Sequence, residues 1–228
     1  MTAIVNMSEA KAREEICRVG ESLFQRGYVH ATAGNISVRL DHGFLITPTD
    51  ACLGFLDPAD LALLDHDGHQ LSGNRASKTI ALHRKIYEAS DHAPGSWPAH
   101  CVIHTHSTHC VGLSLRAKGP ELLPPITPYF VMKVGHVPVI PYHRPGDPEA
   151  VLWVEATIQR YIAQGTPIRA VMLARLGPNV WHDTPGSAMA VLEELEETAR
   201  LVCLNPTPAA HLNPLQLQEL RDTFGARW

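Results

Sequence analysis

The chain predicts an α/β fold in a single domain. Short apolar runs alternate with amphipathic helical patterns, tight-turn signals separate several of them, and 228 residues supply enough chain for one continuous core. The domain spans residues 1–228, with a helical tail from about residue 206.

Taken in order, Ile16, Val19, Leu23 and Phe24 recur at helical spacing and Gly27 follows as a stop, so a surface helix opens the fold. The runs ISVRL and GFLIT flank Asp41-His42-Gly43, the pattern of two strands joined by a tight turn. That hairpin sets Gly34-Asn35 near Thr47-Pro48-Thr49. LALLD and HQLS, around His66-Asp67-Gly68, predict a second hairpin. A helix carrying Ile80, Leu82, His83, Ile86 and Tyr87 comes next, with Ser77 in its first turn. CVIHTH, ending at His106, is a buried strand, and the stretch from Ser107 to Leu115 turns helical beyond it. VPVIPY and AVMLA add two strands. Ala188, Val191, Leu192, Leu195 and Val202 mark an amphipathic helix from Ser187 to Val202. Asn213, Pro214 and Gln216 form a capping signal for a last helix with Leu217, Leu220 and Phe224 on one face. Pro206 and Pro208 mark a place where that helix can detach from the core.

A formal charge of −4, from 19 basic and 23 acidic residues, offers no broad electropositive field for a nucleic-acid partner. The balance suits a soluble protein acting on a small molecule. Five cysteines, Cys17, Cys52, Cys101, Cys110 and Cys203, lack zinc-ribbon spacing and the density of a secreted scaffold, which points to a reducing compartment without structural disulfides. No leader-like segment opens the chain, and no stretch approaches the roughly 18 to 20 apolar residues that span a bilayer. The expected location is cytoplasmic, with no membrane partner.

Chemistry begins at His104-Thr105-His106. In an extended run the two imidazoles share one face while Thr105 points away, so joint coordination of a metal is geometrically easy. A catalytic zinc takes three protein ligands and keeps a fourth position open. His109, His136 and His100 are candidates for the third, and their spacing selects none of them. Cys101 and Cys110 read more simply as small buried residues.

GNIS at 34–37, ITPT at 46–49, HTH at 104–106 and AxxGP at 174–178 together resemble the class II aldolase/adducin family over nearly the whole chain. The longer strings LPPITPYFVMKVG, ending at Gly135, and VPVIPYHRPGD, ending at Asp147, are similar to its branch of 3-oxo-tetronate 4-phosphate decarboxylases. The resemblance implies a three-layer αβα fold with a central, mostly antiparallel sheet. It also implies a divalent metal, Zn2+ ahead of Mn2+, a phosphorylated sugar acid as substrate, and a homotetramer with active sites between subunits. Residue by residue, it makes His104 and His106 metal ligands and Asn35 a phosphate contact, with Gly34 permitting close backbone approach. Thr47 and Thr49 line a second phosphate loop. Ser77 and Lys78 form a phosphate-contacting pair before a helix, where orphan amides and an ammonium converge. Tyr129 matches a tyrosine that reaches into a neighbour's site, where it would supply the proton needed after decarboxylation.

Two positions depart from the family pattern. Thr79 stands where an acid/base glutamate is usual, and a hydroxyl cannot replace a carboxylate in proton transfer at neutral pH. Leu176 stands where the third metal histidine precedes Gly-Pro, with Arg175 beside it as a candidate for holding a substrate carboxylate. Three readings stay open. The first is a metal-dependent decarboxylase, whose bond-breaking step needs an electron sink rather than proton abstraction. The second is a related sugar-phosphate aldolase, or a decarboxylase of another acid, with His30, His136 or His143 as replacement groups. The third is a non-catalytic, adducin-like assembly protein.

Overall fold

The computed structural model of the chain describes residues 7–91, 96–117, 119–205, 207 and 210–228. Eight strands form one sheet: β1 Asn35–Leu40, β2 Gly43–Ile46, β3 Ala62–Leu64, β4 Gln70–Ser72, β5 Cys101–His104, β6 Val139–Ile140, β7 Ala170–Leu173 and β8 Gly177–His182. Their order is β4-β3-β2-β1-β5-β8-β7-β6. Every pairing is antiparallel except β6 with β7. The helices are α1 Glu9–Gln25, α2 Ile80–Asp91, α3 Thr108–Ser114, α4 Pro148–Ala163, α5 Pro185–Leu204 and α6 Pro214–Phe224.

Alternation along the strands sorts the core into two layers. Ile36, Val38, Leu45, Cys101, Ile103, Met172 and Val180 pack against the apolar faces of α1 and α5. Their neighbours Phe44, Val102, Val171 and Trp181 pack on the other side against Ile86 and Tyr87 of α2 and Val154 and Ile158 of α4. The result is the expected three-layer αβα architecture around a mostly antiparallel sheet. The same alternation assigns the polar strand positions: Asn35 and Ser37 share the face of Val102 and Trp181, and so do His104 and Asn179.

Helix ends follow local chemistry. Asp147 accepts from the Glu149 N–H to cap α4, which opens on Pro148. The Asn213–Gln216 capping box forms at α6 with both reciprocal bonds, and Gly225 closes that helix in the left-handed conformation. Pro206 and Pro208 lie outside the described residues. Beyond them α6 packs on the body, with Leu220 against Val131 and Ala226. Phe224, at the end of the helix, is 62% exposed, because the apolar stripe of this short helix is covered only around Leu217 and Leu220.

Other boundaries also move. The strand in CVIHTH ends at His104, where the Thr105 N–H turns to the Pro178 carbonyl. α2 begins at Ile80, and Ser77 lies in the turn before it. The helix α4, the strand β8 and a π-helical turn at Phe130–Val134 were not expected.

Candidate active site

His104 ends a central strand, and the backbone there is held from both sides. A Cβ on Gly34 would lie 2.8 Å from the His104 carbonyl oxygen, and one on Gly177 would lie 1.8 Å from that of Thr105. Both glycines also have positive φ, +87° and +150°. Only residues without a side chain let the strand end this close to its neighbours.

The imidazoles of His104 and His106 stand side by side, with ring centroids 5.1 Å apart, although His106 has left the strand. A further imidazole, His30, lies 6.3 Å from His106. His104 Nδ1 is 3.0 Å from the Pro178 carbonyl oxygen. A carbonyl oxygen can only accept, so Nδ1 carries the proton and Nε2 keeps a free lone pair, the arrangement that orients a metal-binding histidine. Burial first, and the neighbouring His106 second, pull the His104 pKa down to about 4 against the opposing effect of Pro178. Burial, with a smaller contribution from His30, also lowers His106. Both rings are therefore neutral near pH 7, the form that ligates. These donors fit a divalent cation.

His104 opens on a cavity of about 470 Å³ between the start of α2, the loop before α4 and the ends of β7 and β8. Lys78, Thr79, His143, Arg144, Leu176 and Asn179 are among its lining residues. Leu176 places a hydrocarbon wall where a third imidazole was sought, and leucine has no donor atom. Thr79 spends its hydroxyl on Ser77 at 2.7 Å.

Two of the polar loops expected around an anion, at 47–49 and 75–77, are tied together by backbone bonds. Thr47 donates its N–H to the Ile36 carbonyl, and its own carbonyl accepts from Ser77. The Thr49 N–H bonds the Arg75 carbonyl, and Pro48 bridges Ala76. The Thr47 hydroxyl accepts from the Ile36 N–H at 3.2 Å, which is a structural duty. Thr49 and Arg75 line a cleft of about 440 Å³ that does not include His104. Lys78 is exposed and joins the His104 cavity, while Asn35 is buried with an unpaired Oδ1.

Several other candidates sit elsewhere. His109 Nδ1 lies 2.8 Å from the buried Glu196 carboxylate, whose other oxygen caps α3 at the Cys110 N–H. His136 stacks on Trp228 at 4.2 Å and faces Glu121. His100 lines a polar cleft with Arg39 and Asp91, while Cys101 is a fully buried thiol whose pKa burial pushes far up. Arg175 is exposed in a left-handed conformation, φ +67°, and is absent from the cavity lining. Tyr129 is 62% exposed and also outside the lining. Asp65, Asp67 and His69 gather on the β3–β4 turn, where the His69 N–H and Nδ1 both bond the Asp65 carboxylate.

Sequence reasoning missed Asn179 and the role of His83. His83 is fully buried, bonded through Nδ1 to Ser37 Oγ at 2.7 Å, and Ser37 in turn bonds the Tyr87 hydroxyl at 2.6 Å. Burial, and then the nearby His104, pull its pKa down to about 3. For Asn179 a signal existed, since an amide at an inward position of the run GPNVWH breaks an otherwise apolar face.

The family model of the class II aldolase and adducin N-terminal domain matches residues 14–203. The chain is 53% identical over 228 residues to the 3-oxo-tetronate 4-phosphate decarboxylase of Cupriavidus necator, spanning 97% of this chain and 99% of that one. The protein of the same name from Escherichia coli strain K12 is 37% identical over 217 residues, 93% and 96% of the two chains. Among solved structures, YgbL from Escherichia coli superposes with a TM-score of 0.80 at 38% identity, covering 93% of this chain and 99% of its own. L-fuculose-1-phosphate aldolase from Thermus thermophilus gives 0.71 at 27% identity, with 87% and 98% covered. With its layers, its paired imidazoles and these likenesses in agreement, the chain belongs to the class II aldolase and adducin family and is similar to that family's 3-oxo-tetronate 4-phosphate decarboxylases.

Proposed function

We propose that the chain is a divalent-metal-dependent carbon–carbon lyase that decarboxylates a 3-oxo-tetronate 4-phosphate or a close analogue. The observation that carries this reading is the neutral His104/His106 pair, with His104 locked through Nδ1 and opening on a cavity that also takes Lys78. The similarity to 3-oxo-tetronate 4-phosphate decarboxylases supplies the substrate class. A cation bound there, Zn2+ ahead of Mn2+, would polarise the keto oxygen of the substrate.

The chain's own residues do the rest. Lys78 offers a positive charge to the phosphate in the His104 cavity, and we assign Gly34, Asn35, Thr47, Thr49 and Ser77 to the phosphate on the strength of the family resemblance, although none of them lines that cavity. The apolar wall from Leu82, Val151 and Leu176 limits water around the reacting carbons. Breaking the bond to the carboxylate leaves its electron pair on the substrate as an enediolate, so no base is needed for that step and Thr79 is tolerable. The enediolate then requires one proton. We assign that proton to Tyr129 of a neighbouring subunit in a homotetramer, which accounts for an exposed tyrosine outside its own chain's cavity. We further place the enzyme in the cytoplasm, acting as one domain with a helical tail from about residue 206.

The test measures metal content and carbon dioxide release together. His106→Ala is expected to lose bound metal and at least 100-fold in turnover, because two imidazoles leave little tolerance for losing one. Unchanged turnover in a metal-free variant rejects the mechanism. Leu176 and Thr79 favour a second reading, a binding or assembly protein that has lost its chemistry. It predicts a wild type that binds metal and releases nothing, and a gain of lyase activity in the double variant Thr79→Glu, Leu176→His.

A further inference from the structure

We propose that Asn179 is a substrate-contacting residue, whose side-chain amide donates to the oxygen that becomes negative as carbon dioxide leaves. This rests on the decarboxylase reading above. Asn179 is 0% exposed, and neither Oδ1 nor Nδ2 has a hydrogen-bond partner. Burying an amide with both ends unpaired costs about 2 kcal/mol or more, whichever way the amide is turned. A valine would fill the same place in the strand without that penalty, so folding gives no reason for an amide here. Buried polar groups kept at such cost mark functional sites.

Its position says what the amide faces. In the sheet register His104 pairs with Asn35 on one side and with Asn179 on the other, so the three side chains form a row across β1, β5 and β8. Side chains opposite each other on neighbouring strands sit about 5 Å apart at Cβ. Asn179 and His104 both line the cavity that takes Lys78 and Thr79. On the strand-entry side Leu176 contributes only hydrocarbon, which leaves Asn179 as the polar group that β8 presents to the substrate.

The chemistry needs a donor there. In a 3-oxo acid the bond between C1 and C2 breaks, C1 leaves as carbon dioxide, and the electron pair moves through C2 to the C3 oxygen. Charge is conserved, because one negative charge passes from the carboxylate to the enediolate, and a proton delivered to C2 then completes the ketone. A fixed N–H beside that oxygen, in a site shielded from water, stabilises the charge as it develops.

Three variants test the assignment. Asn179→Val is expected to lower kcat about 100-fold with KM within threefold and metal content unchanged. Its melting temperature should rise, because an unsatisfied amide has been removed. Asn179→Thr, which keeps a donor, should recover part of kcat, and Asn179→Asp, which has none and adds charge, should not. A kcat within twofold of wild type in Asn179→Val overturns the proposal. So does a loss of metal in step with turnover, which would make Asn179 a ligand of the cation. If wild type releases no carbon dioxide, the decarboxylase reading falls and Asn179 is judged by binding of 2-phosphoglycolohydroxamate, a planar enediolate mimic. A tenfold weaker dissociation constant in Asn179→Val supports the contact; equal binding overturns it.

Discussion

At the residue scale, similar side chains carry different duties according to what surrounds them. Thr47 and Thr79 have hydroxyls committed to the backbone or to Ser77, whereas Lys78 is exposed at the cavity. Lys78→Ala is therefore expected to weaken a phosphorylated ligand about tenfold and its dephosphorylated counterpart little, as titration calorimetry with both would read. Equal losses place Lys78 outside the phosphate site. The histidines divide in the same way. His104 keeps Nε2 free because Pro178 takes Nδ1, His109 is held by Glu196, and His136 stacks on Trp228. Spacing in the chain could not make that division, since it depends on partners 74 and 87 residues away.

At the element scale, α2 links the cavity to the core. The turn that leads into it presents Lys78 and Thr79, and within its first turn the helix buries His83. His83 and His104 titrate at about 3 and 4 in the folded chain, below the 6.5 of a free histidine. Between those values the unfolded chain binds more protons, so stability falls as pH drops from 6.5 toward 4. Each buried imidazole contributes on the order of 2 to 4 kcal/mol to that loss. Melting temperatures of metal-free protein between pH 7.5 and 4.5 should show it, with a shallower slope for His83→Gln; identical slopes count against the assignment. The hairpins and most helices were legible because their periodicity and turn residues are local. The capping box at Asn213 was legible for the same reason. α4 carried a readable start in Asp147-Pro148, and its apolar stripe at Val154, Ile158 and Tyr161 went unread. β8 was harder, because glycine and proline open it and antiparallel partners on both sides, not propensity, hold it extended.

For the whole molecule, a fold set by alternating layers was readable, and an assembly was implied only by resemblance. Tyr129, Tyr142, Leu152 and Trp153 are each at least half exposed in one chain, a fraction that suits surfaces covered by further copies. Light scattering at working concentration should give the mass of a tetramer. Tyr129→Phe should retain metal and substrate while losing most turnover. A monomer with full turnover counts against both the assembly and the shared proton donor. The backbone that carries the two imidazoles rests on missing atoms: Gly34 and Gly177 leave the space in which the His104 and Thr105 carbonyls lie. Mutational tolerance is therefore a poor guide to chemistry in this protein. A survey of substitutions would rank two residues that have no functional group at all beside the histidine they position, and only the geometry tells the holder from the held.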